Sequence, residues 1–331
     1  MIKLRWGILG AANIARQKMV PALHASNYCD LIAVASRDEA KAEAFAKENS
    51  IPVAYGSYEQ LICDPTIDAV YIPLPNHLHV EWIKKAIAGG KHVLCEKPLS
   101  LTTQDVEDLI VLRESSGLLI GEAYATLHQP RLYRLKELFD SHKIGQLSSG
   151  HGCFYLYNRD PNNVRNAYTQ GGGSLWDIGV YPIVVGRWMF GEEPNAVSCF
   201  LDIDNELHVD HLATGVLKFP CGAQFSFTCG MRFPTDTHMT FYTDTHRVDL
   251  NYAYSGGSGS QAIFEVVEPT KGTSQTFNFD NIDQYRLQCD HFALAVQKQE
   301  TFVGSLEHTL AQTKVITALF ASAASKQVVE L

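Results

Sequence analysis

The stretch that decides the fold is Leu4-Arg5-Trp6-Gly7-Ile8-Leu9-Gly10-Ala11-Ala12-Asn13-Ile14-Ala15, in which an apolar run leads into a turn and the start of a helix. A dinucleotide-binding fold needs a tight turn here, so that the helix N-terminus can face a pyrophosphate. Gly10 and Ala15 match the first and third positions of the G-x-G-x-x-G/A fingerprint, whereas Ala12 replaces the second glycine. The motif alone is weak, and its position between the first strand and the first helix gives it weight.

Outward from this stretch, apolar runs alternate with helical patterns up to residue 122, which is typical of a parallel sheet with helices on both faces. The pattern predicts strands at residues 4–9, 31–35, 69–72, 92–95 and 118–120, and helices near residues 14–25, 38–48, 77–89 and 102–116. We therefore expect an α/β protein whose first domain, residues 1–122, is a doubly wound Rossmann domain.

The pattern changes in residues 123–331, which we expect to form a second domain. Residues 148–277 read mostly as strands separated by turns, with one helix at residues 174–190. Two closing helices, at residues 283–297 and 305–324, are expected to pack against this sheet or to return to the first domain. The serine and glycine stretch 255–260 is typical of a hairpin tip. These features predict an α+β domain with a mostly antiparallel open sheet.

Composition excludes several classes of protein. A chain of 331 residues with 46% hydrophobic residues can fill two cores, so it is neither disordered nor fibrous. The formal net charge of -9, without a basic stripe, argues against a nucleic-acid partner. We find no targeting segment and no apolar run near the ~20 residues of a membrane helix. We therefore expect a cytoplasmic protein with no membrane partner.

The eight cysteines are scattered, with no pair at close metal-ligand spacing. Several lie inside apolar strand patterns. We interpret them as small buried hydrophobic residues in a reducing compartment, and we predict no metal site.

The second predicted strand ends in Ala35-Ser36-Arg37-Asp38, where an NAD-binding protein typically has a carboxylate for the ribose 2'-hydroxyl. Ser36 and Arg37 offer a hydroxyl and a guanidinium instead, which suit a 2'-phosphate. This favours NADP over NAD. The alternative is that Arg37 is a solvated loop residue and that Asp38 only caps the next helix.

The segment His92-Val93-Leu94-Cys95-Glu96-Lys97-Pro98 is a buried strand that ends in a charged pair and a proline. Strands of wound sheets end at the ligand crevice, so Lys97 is expected near the nicotinamide. Pro98 imposes an extended or turn geometry on Lys97 and can adopt the cis form. A lysine at this place can hydrogen-bond a reacting hydroxyl, although Lys97 as a surface charge is the plainer interpretation.

The segment Gly171-Gly172-Gly173-Ser174-Leu175-Trp176-Asp177-Ile178-Gly179-Val180-Tyr181-Pro182 combines a close backbone approach with the start of a helix. Asp177 and Tyr181 are four residues apart and share one helix face. A phenol, with an ordinary pKa near 10, becomes a usable proton acceptor beside an ammonium group. The plainer alternatives are a helix-surface acid for Asp177 and a core aromatic for Tyr181.

Together these residues resemble the glucose-fructose oxidoreductase, inositol dehydrogenase and rhizopine-catabolism (Gfo/Idh/MocA) oxidoreductases. The likeness covers nearly the whole chain. It rests on four segments in this order and spacing: residues 6–10 (WGILG), 75–79 (PNHLH), 90–98 (GKHVLCEKP) and 171–181 (GGGSLWDIGVY). With tyrosine at position 181, the last of these segments resembles one branch of the family. That branch contains glucose-fructose oxidoreductase, NADP-dependent xylose dehydrogenase and dimeric dihydrodiol dehydrogenase.

The resemblance implies roles for individual residues. Tyr181 would be the acid/base, Lys97 its electrostatic partner, and Asp177 an orienting or substrate-binding group. Substrate contacts are also implied for Phe154 and Arg165. The implied cofactor contacts, for NADP or for NAD as the alternative, are Gly10, Ala12, Asn13, Ile14, Ser36, Arg37, Leu74, Asn76, His79, Glu96 and Lys97.

Two positions depart from the family pattern. Leu127 follows Glu122-Ala123-Tyr124-Ala125-Thr126 where the branch often has arginine, so the resemblance implies no guanidinium contact to substrate or cofactor from this position. Ala12 is less disturbing, because relatives with alanine there resemble competent cofactor binders.

The expected activity is hydride transfer between NADP and a carbinol or carbonyl carbon of a sugar, polyol or cyclic diol. Two alternatives stay open: a cofactor-sensing regulator without catalysis, and a glycosidase that retains NAD and acts by transient oxidation. By analogy with the family, we also expect a homodimer or homotetramer.

Overall fold

The computed structural model describes residues 3–255, 262–279 and 282–331. The chain divides into two compact units. The first unit comprises Met1–His128 and Asp283–Leu310, and the second comprises Gln129–Ile282 and Ala311–Leu331. Of the predicted hairpin tip, residues 256–260 lie outside the described part of the chain.

The first unit contains a six-stranded sheet in the order β3-β2-β1-β4-β5-β6. Every strand pair in it is parallel. The strands are β1 Leu4–Leu9, β2 Cys29–Ala35, β3 Val53–Tyr55, β4 Ala69–Ile72, β5 His92–Glu96 and β6 Ile120–Ala123. This confirms the predicted doubly wound parallel sheet, to which the structure adds β3.

Helices connect these strands. A π-helical stretch, Ala15–Met19, leads into α1 Val20–Ala25, and the others are α2 Glu39–Glu48, α3 Tyr58–Cys63, α4 His79–Ala88 and α5 Thr103–Ser116. Asp38, Ser57 and Thr102 cap α2, α3 and α5 with side-chain oxygens. All four residues of β4 are buried, as expected for a central strand covered by helices on both faces.

The first unit also includes α8, Gln284–Val296, and the start of α9, Leu306–Ser325. Phe292 of α8 packs its ring 5.1 Å from that of Trp6, and both side chains are fully buried. This differs from the sequence-based assignment of residues 123–331 to a single second domain. Burial of α8 against β1 explains why it belongs with the first unit.

The second unit contains a nine-stranded sheet in the order β14-β13-β12-β11-β7-β10-β9-β8-β15. Its pairs are antiparallel except for β7 and β10, which run parallel. The strands are β7 Leu147–Tyr157, β8 Ala196–Ile203, β9 Asp210–Lys218, β10 Gln224–Gly230, β11 Arg232–Thr243, β12 Arg247–Asn251, β13 Ala262–Glu268, β14 Thr273–Phe279 and β15 Val329–Glu330. The predicted mostly antiparallel sheet is confirmed.

Two helical segments of the second unit complete the fold. The first is α6, Pro130–Asp140. The second is a π-helical stretch, Leu175–Gly179, that continues as α7, Val180–Phe190. Phe225 and Phe241 from the sheet stack with centroids 6.1 Å apart and form the aromatic centre of the core. In the described residues, no helix is both long and apolar enough to cross a membrane.

Candidate active site

The turn after β1 has the geometry that a bound pyrophosphate needs. Gly10 has a φ of +124°, which side-chain-bearing residues rarely adopt. Its N–H donates to the Ala35 carbonyl oxygen at 2.9 Å, and the Ala12 N–H donates to the Gly10 carbonyl at 2.9 Å. The backbone therefore reverses tightly between β1 and the helix that follows.

This turn also fits a dinucleotide. A Cβ at Gly10 would lie 3.1 Å from Leu74 Cδ2, so glycine keeps space at the mouth of the turn. The helix N-cap, Ile14, makes no side-chain capping hydrogen bond. The positive end of the helix is therefore not neutralised by an N-cap side chain, which suits an anionic ligand.

The end of β2 carries the predicted 2'-phosphate residues. Ser36 is buried, and its Oγ accepts the Asp38 N–H at 3.3 Å. The Asp38 carboxylate accepts the Lys41 N–H at 3.3 Å, so Asp38 caps α2. Arg37 is exposed. Burial raises the pKa of Tyr58, and the nearby Arg37 guanidinium opposes that rise, so Arg37 and the Tyr58 hydroxyl are neighbours.

His79, predicted to contact the cofactor, makes its side-chain contacts within the first unit. Its side chain is fully buried, with Nδ1 2.8 Å from the Pro98 carbonyl oxygen and Nε2 2.7 Å from the Leu74 carbonyl oxygen. Burial lowers the pKa of His79 to about 4, so the ring is neutral and donates to one carbonyl at a time. With no exposed atom to offer a ligand, His79 ties the loop after β4 to the loop after β5.

Glu96 is the last residue of β5, and Lys97 follows it. The Tyr71 hydroxyl donates to Glu96 Oε1 at 2.5 Å, and burial together with that carboxylate raises the pKa of Tyr71 well above 10. Tyr71 therefore remains a hydrogen-bond donor that orients Glu96. Lys97 is half-buried, and the Lys97–Pro98 peptide bond is cis, the form that the sequence allowed for.

Glu122 is a supporting residue that the sequence reasoning missed. It is buried, and its Oε1 accepts the Leu99 N–H at 2.9 Å while Oε2 accepts the Thr309 hydroxyl at 2.8 Å. It anchors the chain just after Lys97 and Pro98. Leu127, the departure from the family pattern, is fully buried within the first unit.

In the first unit, the predicted cofactor residues gather at the carboxyl edge of the sheet. Gly10 follows β1, Ser36 follows β2, Asn76 follows β4 and Lys97 follows β5. These four strands are neighbours in the sheet, and the chain order reverses between β1 and β4. Open α/β sheets bind ligands at such a switch point.

In the second unit, Asp210 holds the start of the helix that bears Asp177 and Tyr181. Asp210 is buried, and its Oδ2 accepts the Ser174 hydroxyl at 2.6 Å and the Leu175 N–H at 2.7 Å. Burial raises the pKa of Asp210 to about 6. Sequence reasoning missed Asp210 because it is 36 residues away from Ser174.

Asp177 and Arg165, both predicted to contact substrate, contact each other. Arg165 Nε donates to Asp177 Oδ2 at 2.7 Å, and the Arg165 and Asp177 side chains are 44% and 13% exposed. Asp177 lies in the π-helical stretch before α7, a feature often found at functional sites. The pair offers a carboxylate and a guanidinium for hydroxyl groups.

Tyr181, Phe154 and Tyr254 form an aromatic cluster. The centroid of the Tyr181 ring lies 5.4 Å from that of Phe154 and 5.8 Å from that of Tyr254. Phe154 and Tyr254 stack at 5.4 Å. Tyr254 was not predicted. The cluster limits how the Tyr181 phenol can turn.

Arg131, also not predicted, binds the backbone just before Tyr254. Its guanidinium is fully buried and donates to the backbone carbonyls of residues 251–253 and of Ile263. Gln129 Oε1 accepts from Arg131 Nε at 2.6 Å. Burial lowers the pKa of Arg131 to about 10, so the side chain is still charged at neutral pH. Three of the five hydrogen bonds from this cation go to residues 251–253 and fix the backbone next to Tyr254.

Two family profiles match the chain. The oxidoreductase family with an NAD-binding Rossmann fold (Gfo/Idh/MocA) matches residues 4–124, and the C-terminal domain of the same family matches residues 132–248. Together they span most of the chain.

Relatives agree with these profiles. D-xylose 1-dehydrogenase (NADP(+)) 2 of Haloferax volcanii is 34% identical, over 99% of this chain and all of that one. Trans-1,2-dihydrobenzene-1,2-diol dehydrogenase of Mus musculus is 34% identical over 67% of each chain.

Among solved structures, a 3-ketoreductase from Actinomadura kijaniata in complex with NADP and TDP-benzene is similar with a TM-score of 0.90 and 29% identity, covering 97% of this chain and 98% of that one. Variants of that reductase with one tyrosine or one lysine replaced have also been solved with NADP. The chain described here therefore belongs to the Gfo/Idh/MocA family of NAD(P)-dependent oxidoreductases.

Proposed function

We propose that this protein transfers hydride between NADP(H) and a carbinol or carbonyl carbon of a sugar or related cyclic diol. The observation that carries the proposal is that a phenol and a carboxylate, Tyr181 and Asp177, lie at the start of the same helix. Relatives of the chain act on sugars and diols. The same site would catalyse oxidation or reduction, since each direction transfers one proton and one hydride.

The nicotinamide, when bound, accepts the hydride from a carbinol carbon or returns it to a carbonyl carbon. In the oxidation direction, Tyr181 takes the proton of the substrate hydroxyl. Lys97 stabilises the charge that develops on that oxygen. The proposal requires that the Tyr181 phenol and the Lys97 ammonium both reach the same substrate oxygen.

The variants of the related 3-ketoreductase support this assignment. The lysine and the tyrosine replaced in them are separated along that chain by as many residues as Lys97 and Tyr181 are here. The match in residue type and in separation favours equivalent roles.

Ser36 and Arg37 favour NADP over NAD. An exposed guanidinium beside a hydroxyl provides charge-assisted donors for a 2'-phosphate, and neither offers the carboxylate that would hold a free 2'-hydroxyl. The relatives named above with xylose dehydrogenase and 3-ketoreductase activity also use or bind NADP.

Asp177 and Arg165 are proposed to hold substrate hydroxyls. Carboxylate oxygens accept and guanidinium N–H groups donate hydrogen bonds, and these are the two functions that bind the hydroxyl groups of a sugar. Phe154 would contribute an apolar ring next to the Tyr181 phenol.

The test is a screen of aldoses, polyols and diols with NADP, in which the absorbance of the reduced nicotinamide is the readout. On the best substrate, Tyr181→Phe and Lys97→Met should each lower kcat by about 100-fold to 10,000-fold, the usual range for a positioned acid or base. NADP affinity, measured by fluorescence titration, should change little in Tyr181→Phe. Tyr242→Phe removes a half-exposed phenol on β11 and serves as the control. Near-normal kcat in both site variants would remove the assignment.

A further inference from the structure

Three potential metal ligands meet on the face of the second sheet opposite to the one that carries Phe154. Cys153 lies on β7, directly across from His238 on β11, and Asp236 lies two residues along β11 on the same face. Cys153 Sγ is 3.1 Å from His238 Nδ1 and 3.8 Å from Asp236 Oδ2. His238 Nδ1 and Asp236 Oδ2 are 3.2 Å apart.

These distances match the edges of a metal coordination tetrahedron. With Zn–S near 2.3 Å and Zn–N or Zn–O near 2.0–2.2 Å, tetrahedral ligand atoms lie roughly 3.4–3.6 Å apart. Each of the three observed separations lies within about 0.3 Å of that range. A cation could be seated with only small side-chain rotations, because all three ligand atoms already lie on one side of the same strand pair.

We propose that Cys153, Asp236 and His238 form a binding site for a borderline divalent cation, of which Zn²⁺ is the best match. Thiolate, imidazole and carboxylate together favour zinc over magnesium or calcium, which prefer oxygen ligands. Three protein ligands leave a fourth position for water. The proposal is independent of the proposed reaction and of the residues assigned to it.

In the single chain, the site is open to solvent on one side. The side chains of His238 and Asp236 are 40% and 57% exposed, whereas Cys153 is buried. A cation would therefore meet the carboxylate and the imidazole first and the sulfur last. His151, the next residue on this face of β7, has its ring centroid 6.2 Å from that of His238 and its Nδ1 3.0 Å from Ser226 Oγ.

Binding must displace one proton. Burial raises the pKa of the Cys153 thiol to about 11, so the free protein holds the thiol form. Coordination breaks the S–H bond, forms the S–Zn bond and releases the proton to solvent, with no change in oxidation state. The bound cation would join β7 to β11 at the register that places Phe154 on the opposite face.

The experiment uses the full chain without an added histidine tag, stripped with a chelator and then dialysed. Titration with Co²⁺ should give one equivalent per chain with a thiolate-to-cobalt charge-transfer band, and Zn²⁺ should abolish that band. Zn²⁺ should also raise the melting temperature, because it binds the folded state. Absence of the charge-transfer band in the unaltered protein would overturn the proposal.

Variants assign the ligands. Cys153→Ser should lose the band, and Cys153→Ser and His238→Gln should each weaken Zn²⁺ binding by more than about 100-fold, beyond the effect of losing an outer-shell partner. Cys221→Ser and His142→Gln change an exposed cysteine and an exposed histidine elsewhere and should bind as before. His238→Gln keeps the test usable if Cys153→Ser fails to fold. Full binding retained in His238→Gln would mean that the metal sits elsewhere.

Discussion

Two helix starts, one in each unit, look alike in the backbone and differ in what faces them. Gly10 and Gly173 have φ angles of +124° and +119°, and each precedes a helix that opens with a π-helical stretch. In the first unit the N-cap residue makes no side-chain capping bond. In the second unit the Asp210 carboxylate binds the Ser174 hydroxyl and the Leu175 N–H.

The difference shows how one backbone device serves two kinds of ligand. A helix start without a capping carboxylate suits a pyrophosphate, because the helix dipole favours an external anion. A helix start that already binds the protein's own carboxylate is not open to an external anion. There, ligand recognition falls to side chains further along the helix, Asp177 and Tyr181.

Replacing each glycine with alanine adds one methyl group at each helix start and tests whether the two differ as described. Gly10→Ala and Gly173→Ala carry nearly equal backbone strain, about 1–3 kcal/mol. The new Cβ would lie 3.1 Å from Leu74 Cδ2 in one case and 2.1 Å from Asp210 Oδ1 in the other. Gly173→Ala should therefore also lose the Asp210 cap and be destabilised by roughly 3–5 kcal/mol in total.

The measurement is hydrogen exchange by mass spectrometry, which reports opening free energies for each unit separately. Residues 174–190 should lose protection in Gly173→Ala and keep it in Gly10→Ala. Equal losses in the two variants would show that the Asp210 carboxylate is not what distinguishes the two helix starts.

A second test uses the pKa of Asp210. Burial raises it from 3.8 to about 6, so the folded state disfavours the ionised form. The resulting stabilisation is complete below pH 3.8 and is lost as the pH rises to about 6, a change of about 3 kcal/mol. Asp210→Asn cannot ionise, so the stability advantage of the unaltered protein over this variant should shrink over that interval.

Urea unfolding of both proteins between pH 4 and pH 7 would measure this difference. Asp108→Asn provides the control, since it makes the same substitution at a half-exposed position. A difference between Asp210→Asn and the unaltered protein that stays constant with pH would mean that Asp210 is ionised throughout.

The first unit was predictable from local pattern because its strands are short apolar runs bounded by turns. Residues 4–9 and 69–72 were predicted and observed as strands with the same bounds. Strand β3, Val53–Tyr55, was missed because three residues are too few to show a strand pattern in the sequence. The carboxyl ends of parallel strands share one edge, so the gathering of Ser36, Asn76 and Lys97 there followed from the strand order.

The second unit was less predictable because its important contacts join distant residues. Asp210 meets Ser174 across 36 residues, and Arg131 meets residues 251–253 across more than a hundred. Cys153 and His238 are 85 residues apart, so cysteine spacing could not indicate that they are neighbours. Only pairing of β7 with β11 brings them together. The convergence of Lys97 and Tyr181 stays a prediction.

Each of the two ligand regions carries an arginine, Arg37 in the first unit and Arg165 in the second. Arg165 is already paired with Asp177, whereas Arg37 is exposed at the end of β2. Arg37→Asp should weaken NADP binding by about 100-fold, or about 2.7 kcal/mol, through lost charge-assisted hydrogen bonds and new repulsion of the 2'-phosphate. NAD affinity should change by less than about threefold, because NAD lacks that phosphate. Fluorescence titration with both dinucleotides measures the ratio, and Lys47→Asp makes the same charge change at the far end of α2. If NADP and NAD affinities fell equally, Arg37 would be a general electrostatic contributor, and the first unit would not select its cofactor at this position.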